Sequence, residues 1–592
     1  MKFRRLILCA VSVVVVKIGQ AVPLNAPLLS LNELQPGMKG EVWTVFKGCD
    51  SEPFTVQVTG ILRNALGPGK SMILCELTDP RVQNMGAVAG MSGSPLYIAG
   101  KLAGVLSYQI QRFETVRYAG FTPISDMLEV SALPPGKDAF APAPIPIKGD
   151  RGSNARAADP ASAPFTAITP AFSLGGLAPE VAAMLEPQFT ALGLTVNALG
   201  GNSGGSDNPA PGSAPPPSLR PGDVVAVALA VGDISLAGIG TVSYVDGNRI
   251  LAFGHPMLSL GATELPMASA EIVTILPSQY NSIKLSNTGG IIGSFSQDRL
   301  SGIYGELGRK PAMVPVDIDF PARLNRKSLH FQVVRNEQVL PTIAATGLAQ
   351  AVMGSNESGL ALGFKVTTTV DFPGSAPVVL SQLYPGPQGF RQGLGDFVGN
   401  LSLWLFNPYE RIFPDRIRFS IEDTPDTPSG SIEQMQVSRA EASPGDRLDV
   451  TIGWRGFQHE SSTETATLHV PREWAGKELE VILTTGPALD ELTGRTHAVP
   501  VAQLRSFGEY ISALRDFRQS DGLYLAVVEK ARLMTDQRAT TPDMPGSLER
   551  IARGSDEARF QRKDAFAPLW EQRVLPGRLF NILIRRPLVI TD

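Results

Sequence analysis

Ser92 stands in the run Gly90-Met91-Ser92-Gly93-Ser94-Pro95, a serine held between glycines with a proline closing the bend. Directly behind it, Leu96–Tyr108 (LYIAGKLAGVLSY) reads as strand, turn and strand. Glycines in such a bend let main-chain N–H groups turn toward one point. A hydroxyl at that point can attack an acyl carbon, and the N–H groups of Gly90 and Ser92 can hold the oxyanion that forms. The chemistry is acyl transfer, and it needs a base for the serine proton. Ser94 is the competing hydroxyl, set one residue before Pro95 in the outgoing strand.

Five histidines are available. His330, His459, His469 and His497 fall in later β or linker segments, and His469 alternates with strand residues. His255 differs. It ends the apolar run Leu251-Ala252-Phe253 and lies between the permissive Gly254 and the stiff Pro256. A base has to be held within hydrogen-bond reach of the serine oxygen, and a rigid strand-end turn supplies that orientation. His255 is therefore the candidate base.

Two sets of strands must position these turns. Residues 36–134 read as short strands bounded by Gly, Pro or charged turns, among them Gly40–Phe46, Phe54–Leu62 and Ser71–Leu77. A second set begins after Leu219, with Val224–Leu229, Gly238–Tyr244 and the Asp246-Gly247 turn. A helix is expected around Ser269–Leu276. Between the sets, 135–165 and 199–217 are poor in periodic apolar residues and read as linkers, with a small packed unit from Phe165 to Val196 and a short helix near Pro179–Leu185. Further strands are expected in 311–429, and a β-sandwich-like module in 430–490. The C-terminal region 491–592 is expected to be mostly helical. There Leu504, Phe507, Ile511, Leu514 and Phe517 recur at helical spacing, and a second helix is expected over Leu523–Leu533.

Composition agrees with several β domains. A chain of 592 residues exceeds one core, and it holds 59 Gly and 48 Pro but only 18% charged residues. Lys2, Arg4 and Arg5, then Leu6–Val16, then Gly19-Gln20-Ala21 read as a secretory signal over 1–21, which implies export to a periplasm, cell envelope or exterior. No later stretch is apolar for long enough to span a bilayer. The net charge of −4 becomes more negative once those cations are removed, and no basic stripe invites nucleic acid. Cys49 and Cys75 remain, either as one disulfide or as two buried thiols.

Gly90–Pro95 with its hairpin, together with Ala237–Leu307, resembles the SpoIVB peptidase family of chymotrypsin-like serine endopeptidases. The runs that carry the likeness in the second half are Ala237-Gly238-Ile239-Gly240-Thr241-Val242, Leu251–His255 and Gly302-Ile303-Tyr304-Gly305. The likeness covers 36–130 and 218–310. It implies a mainly β fold: a chymotrypsin-like bipartite β-barrel core, with a Ser-bearing half over 22–134 and a His-bearing half over 218–310. Accessory β modules and the helical C-terminal region would follow. It implies Ser92 as nucleophile, His255 as general base and Asp79, in Leu77-Thr78-Asp79, as the acid that orients the imidazole. Asp298, in the same half as His255, is the alternative acid. A protein or peptide substrate is implied, with no cofactor and no metal. The Ser segment precedes the His segment here, the reverse of the sporulation peptidase, so the halves read as permuted. Geometry rather than chain order defines such a triad. Met91 stands where chymotrypsin has an aspartate, which removes activation by a newly buried N-terminus. The other reading is a non-catalytic cell-envelope scaffold for binding or assembly on the same fold.

Overall fold

The structure, a computed structural model, describes residues 22–110, 116–134, 166–168, 172–197, 201–202, 218–278, 282–321, 326–354, 363–407, 409–424, 426–494, 506–515, 517–535, 540–542, 547 and 561–592. The signal-like stretch 1–21 and the linker runs 135–165 and 203–217 lie outside the described residues.

Alternation builds the first half. Along Ser51–Leu62 (β2), Phe54, Val56 and Val58 are buried while their neighbours face outward, the period of a strand with one covered face. The other strands are Lys39–Val45 (β1), Met72–Leu77 (β3), Pro95–Ile98 (β4), Lys101–Gln109 (β5) and Tyr118–Pro123 (β6). They pair antiparallel in the order β4-β1-β2-β3-β6-β5, and β5 returns to β4, which closes a six-stranded barrel. Val42, Phe54, Val56, Ile73, Leu96 and Phe121 fill it. Helices Pro80–Met85 (α1) and Ile124–Ser131 (α2) sit on its connections. Thr166–Ala167 (β7) pairs with the end of β5, beyond the stretch paired with β4.

Phe172–Gly175 (β8), Pro179–Ala191 (α3), Val196–Asn197 (β9) and Gly201–Asn202 (β10) lead into the second half. Its ring consists of Val224–Gly232 (β11), Ser235–Asp246 (β12), Arg249–Ala252 (β13), Gly261–Leu276 (β14), Ile283–Arg299 (β15) and Gly302–Leu307 (β16). The antiparallel order β11-β14-β15-β16-β13-β12 closes back on β11. The run VVAVALA in β11 has no polar face because both of its faces are covered. Val225, Val227 and Leu229 enter the large core, while Val224, Ala226 and Ala228 pack with Val45 of the first barrel. Burying a Val is worth about 1.5–3 kcal/mol, and Val45 and Val224 bury theirs between the barrels.

Met313–Pro321 (β17) and Arg326–Val334 (β18) extend the second sheet through β11. Phe364–Asp371 (β19), Val378–Tyr384 (β20) and Arg416–Asp423 (β21) follow, with Val339–Ala349 (α4) and Pro387–Leu405 (α5) sharing their core. In the last third, a three-stranded sheet of Gly430–Val437, Arg447–Gly456 and Ser461–His469 shares a core with strands Glu478–Thr484, Leu523–Thr535 and Leu583–Ile590.

Four expectations are corrected. Ser269–Leu276 is not helical but the end of β14, paired with β15. Leu523–Leu533 is a strand, because Leu523, Leu525 and Val527 face one core and Tyr524, Ala526 and Val528 another. The C-terminal region is not mostly helical. Among its described residues the helix Phe507–Arg515 stands beside long strands, with Phe507, Ile511 and Leu514 buried on one side. Cys49 and Cys75 are both free, Cys49 exposed and Cys75 buried, so neither a disulfide nor a pair of buried thiols forms. Among the described residues no helix is long and apolar enough to cross a membrane.

Candidate active site

The serine turn joins α1 to β4. Inside it, the N–H of Met91 donates to the Val88 carbonyl at 2.9 Å, that of Gly93 to Leu106 at 2.7 Å and that of Ser94 to Met91 at 3.0 Å. The N–H groups of Gly90 and Ser92 donate to nothing among the described residues. The two N–H groups expected to hold an oxyanion are thus the ones left free. Ser92 Oγ is fully buried and has no hydrogen-bond partner among the described residues. Ser94 Oγ is tied to the Met91 carbonyl at 2.6 Å, which removes it as the competing hydroxyl.

This turn docks on β12. The Ser92 carbonyl accepts from the N–H of Thr241 at 2.8 Å, and the Gly93 carbonyl accepts from Ser243 Oγ at 2.8 Å. Gly93 has φ +93°, and a Cβ there would collide with the Thr241 carbonyl and the Phe253 main chain. Only glycine fits this close approach.

The histidine turn joins β13 to β14. Phe253 holds φ +70°, a left-handed conformation that costs a bulky residue about 1–3 kcal/mol. Its N–H donates to the Thr241 carbonyl at 3.3 Å, and its ring packs edge-on against His255 with centroids 6.3 Å apart. A side chain on Gly254 would strike Ser107 Oγ. Thr122 Oγ1 lies 2.7 Å from the Gly254 carbonyl and 2.9 Å from Ser107 Oγ. The serine barrel therefore braces the histidine turn.

His255 is fully buried. Its Nδ1 lies 2.8 Å from the Pro256 carbonyl, to which Nδ1–H donates, so Nε2 keeps its lone pair. Nε2 has no hydrogen-bond partner among the described residues, so it is not bonded to Ser92 Oγ. Burial pushes the imidazole pKa down to about 4, against the opposing pull of the Pro256 and Ile168 carbonyls. The ring is therefore neutral near pH 7, the form a base requires.

Neither aspartate touches the imidazole. Asp298 accepts from the N–H groups of Met257, Leu258 and Leu260 at 2.7, 2.8 and 3.1 Å, and so fixes the chain just after His255. Burial raises its carboxyl, and these N–H bonds act against that. Asp79 caps α1 and pairs with Arg81, which holds its carboxyl low against the pull of burial.

Lys284 was not among the residues singled out from the sequence. Its side chain is buried against Gly90, and Nζ donates to Thr44 Oγ1 at 2.8 Å. Burial alone brings its pKa down to about 7. The flanking Ile283 and Leu285 point the apolar alternation the other way, so the pattern itself hides it.

A cleft of about 380 Å³ lined by Lys365, Asp521 and Arg573 lies elsewhere and holds neither Ser92 nor His255. No protein-family model matches the chain, and no curated protein or solved structure matches it.

Proposed function

We propose that the chain is an exported serine endopeptidase that works by acyl transfer through Ser92, on a permuted chymotrypsin-like pair of barrels. The observation that carries this reading is the pattern of the serine turn. Met91, Gly93 and Ser94 spend their N–H groups inside the protein, while Gly90 and Ser92 keep theirs free, among the described residues, beside an unpartnered Oγ.

Ser92 Oγ–H gives its proton to His255 Nε2 as the Oγ–C bond forms with a peptide carbonyl. The carbonyl oxygen becomes an oxyanion held by the two free N–H groups, a kind of donor worth roughly 2.7–4 kcal/mol each. The intermediate collapses, the C–N bond breaks, and the leaving amine takes the proton from His255. Water then releases the acyl group by the same path in reverse. The Pro256 carbonyl holds the tautomer, and Asp298 is the acid of this reading, acting through the turn it fixes. Asp79 serves α1 instead.

Labelling with a fluorophosphonate tests the reading. Wild type is expected to label, and Ser92→Ala is not. Equal labelling of both removes Ser92 as nucleophile. No labelling of either favours a second reading, a non-catalytic cell-envelope scaffold, for which the complete burial of Ser92 and His255 speaks.

A further inference from the structure

Something closes the site, because Ser92 and His255 have no exposure at all. A short piece of the chain itself lies beside it. Thr166 and Ala167 pair antiparallel with Gln109 and Tyr108 on β5. The next residue, Ile168, donates its N–H to the Ser107 carbonyl at 2.9 Å.

The position of β5 gives this pairing its meaning. Leu106 of β5 accepts from the N–H of Gly93 and donates to the Ser94 carbonyl, so it is bonded directly to the serine turn. One residue further along, Ser107 holds Ile168. The Ile168 side chain is fully buried in the cluster that contains Val88, Ala89 and Met91. Its carbonyl lies beside the His255 imidazole without reaching hydrogen-bond geometry at Nε2.

An extended peptide recognised by a sheet edge takes this form: main-chain bonds to the edge strand, one side chain sunk into a pocket, a carbonyl next to the reacting groups. The alternative, a purely structural strand, leaves a cost unexplained. It would leave Ser92 Oγ and His255 Nε2 buried and, among the described residues, without hydrogen-bond partners, at about 1–3 kcal/mol for each such group. Those groups are better understood as awaiting a peptide carbonyl in the place that Ile168 now fills.

We propose, building on the peptidase reading, that Thr166–Ile168 is an internal plug in the substrate groove along Ser107–Gln109. The plug must leave before another peptide reaches Ser92, and Ile168 marks the groove as one that takes a branched aliphatic side chain next to the bond attacked.

The test follows labelling of Ser92 by a simple fluorophosphonate, located by peptide mass mapping. Ile168→Asp, which cannot rest in an apolar pocket, is expected to label about tenfold faster than wild type or more, because the open fraction sets the rate. Ile168→Val is expected to label like wild type. Equal rates in all three overturn the plug. A buried aspartate can also unfold the barrel, so a second measurement uses the wild-type chain. A tripeptide phosphonate with the sequence Thr-Ala-Ile is bonded to Ser92, and amide hydrogen exchange is followed. The Ile168 amide is expected to lose protection while the Gly93 amide keeps it. Retained protection at Ile168 overturns the plug and leaves the peptidase reading intact. Labelling of Ser92→Ala at the wild-type rate, or no labelling in any variant, overturns both.

Discussion

The carbonyl of Thr241 occupies the space where a side chain on Gly93 would begin. The same carbonyl accepts from Phe253, and the N–H of Thr241 is bonded to the carbonyl of Ser92. One residue of β12 therefore clamps the serine turn of one barrel and the histidine turn of the other. Main-chain bonds between the barrels, rather than a contact between the two side chains, set the candidate pair.

Gly93→Ala tests that clamp. The methyl group meets main chain on two sides and the residue must keep φ +93°. The left-handed conformation alone costs about 1–2 kcal/mol, and separation of the turns adds to it. Denaturant unfolding is expected to show a loss of at least that size, with labelling of Ser92 abolished. A variant that unfolds and labels like wild type would show that the turns do not depend on this approach.

Thr122→Val probes the brace beneath His255. Valine keeps the shape of threonine but leaves the buried Gly254 carbonyl without Oγ1. A lost hydrogen bond of this kind costs about 1–3 kcal/mol. The expected result is a modest fall in unfolding free energy and slower labelling of Ser92 at every pH. Labelling at the wild-type rate would mean that the turn holds its histidine without help from the serine barrel.

What could be read from the sequence follows what repeats in one dimension. Phe54, Val56 and Val58 alternate, and a strand follows. Gly90–Pro95 concentrates turn chemistry in six residues, and Gly254-His255-Pro256 pins one histidine, so both turns are legible in the sequence. Leu523–Leu533 failed because a strand buried on both faces has no alternation to read. Ser269–Leu276 failed because its partner, Ile283–Thr288, supplies the pairing that local preference does not. The surroundings of the two acids are not legible for a related reason. Asp79 and Asp298 both serve main-chain N–H groups, and which N–H groups converge on a carboxylate is a property of the folded loop. Lys284 was hidden by its neighbours, since the buried face of β15 there consists of Lys284, Ser286 and Thr288.

Lys284→Met is expected to stabilise the protein at neutral and acidic pH. The folded amine has a pKa of about 7, below its ordinary 10.5. Between those values the unfolded chain holds a proton that the native chain lacks, so stability rises with pH from 7 to 10.5 and the full penalty applies below 7. Methionine fills similar space without charge, though it leaves Thr44 Oγ1 without its donor. A net gain of about 2 kcal/mol at pH 6, shrinking toward pH 10.5, is expected from urea unfolding. A gain that does not change with pH would place the charge of Lys284 in solvent.

His255 carries the opposite limb. Its imidazole titrates near 6.5 when unfolded and about 4 when folded. Between these values the unfolded chain takes up a proton that the native chain refuses. Stability therefore falls as pH drops from 6.5, and the loss is complete below 4, at a cost on the order of 3 kcal/mol. His255→Phe removes the titration and keeps an aromatic ring in the buried site. Comparing wild type with this variant at about pH 7, 5.5 and 4 cancels the many surface carboxylates that both share. The difference in unfolding free energy between the two proteins is expected to shift by that amount in favour of the variant at the acid end. In wild type, the rate of fluorophosphonate labelling should fall with a midpoint near 4 rather than near 6.5, because Nε2 accepts the serine proton only while the ring is neutral. Parallel stability curves, or a labelling midpoint at 6.5, would mean that the imidazole reaches water and that the barrels open around it.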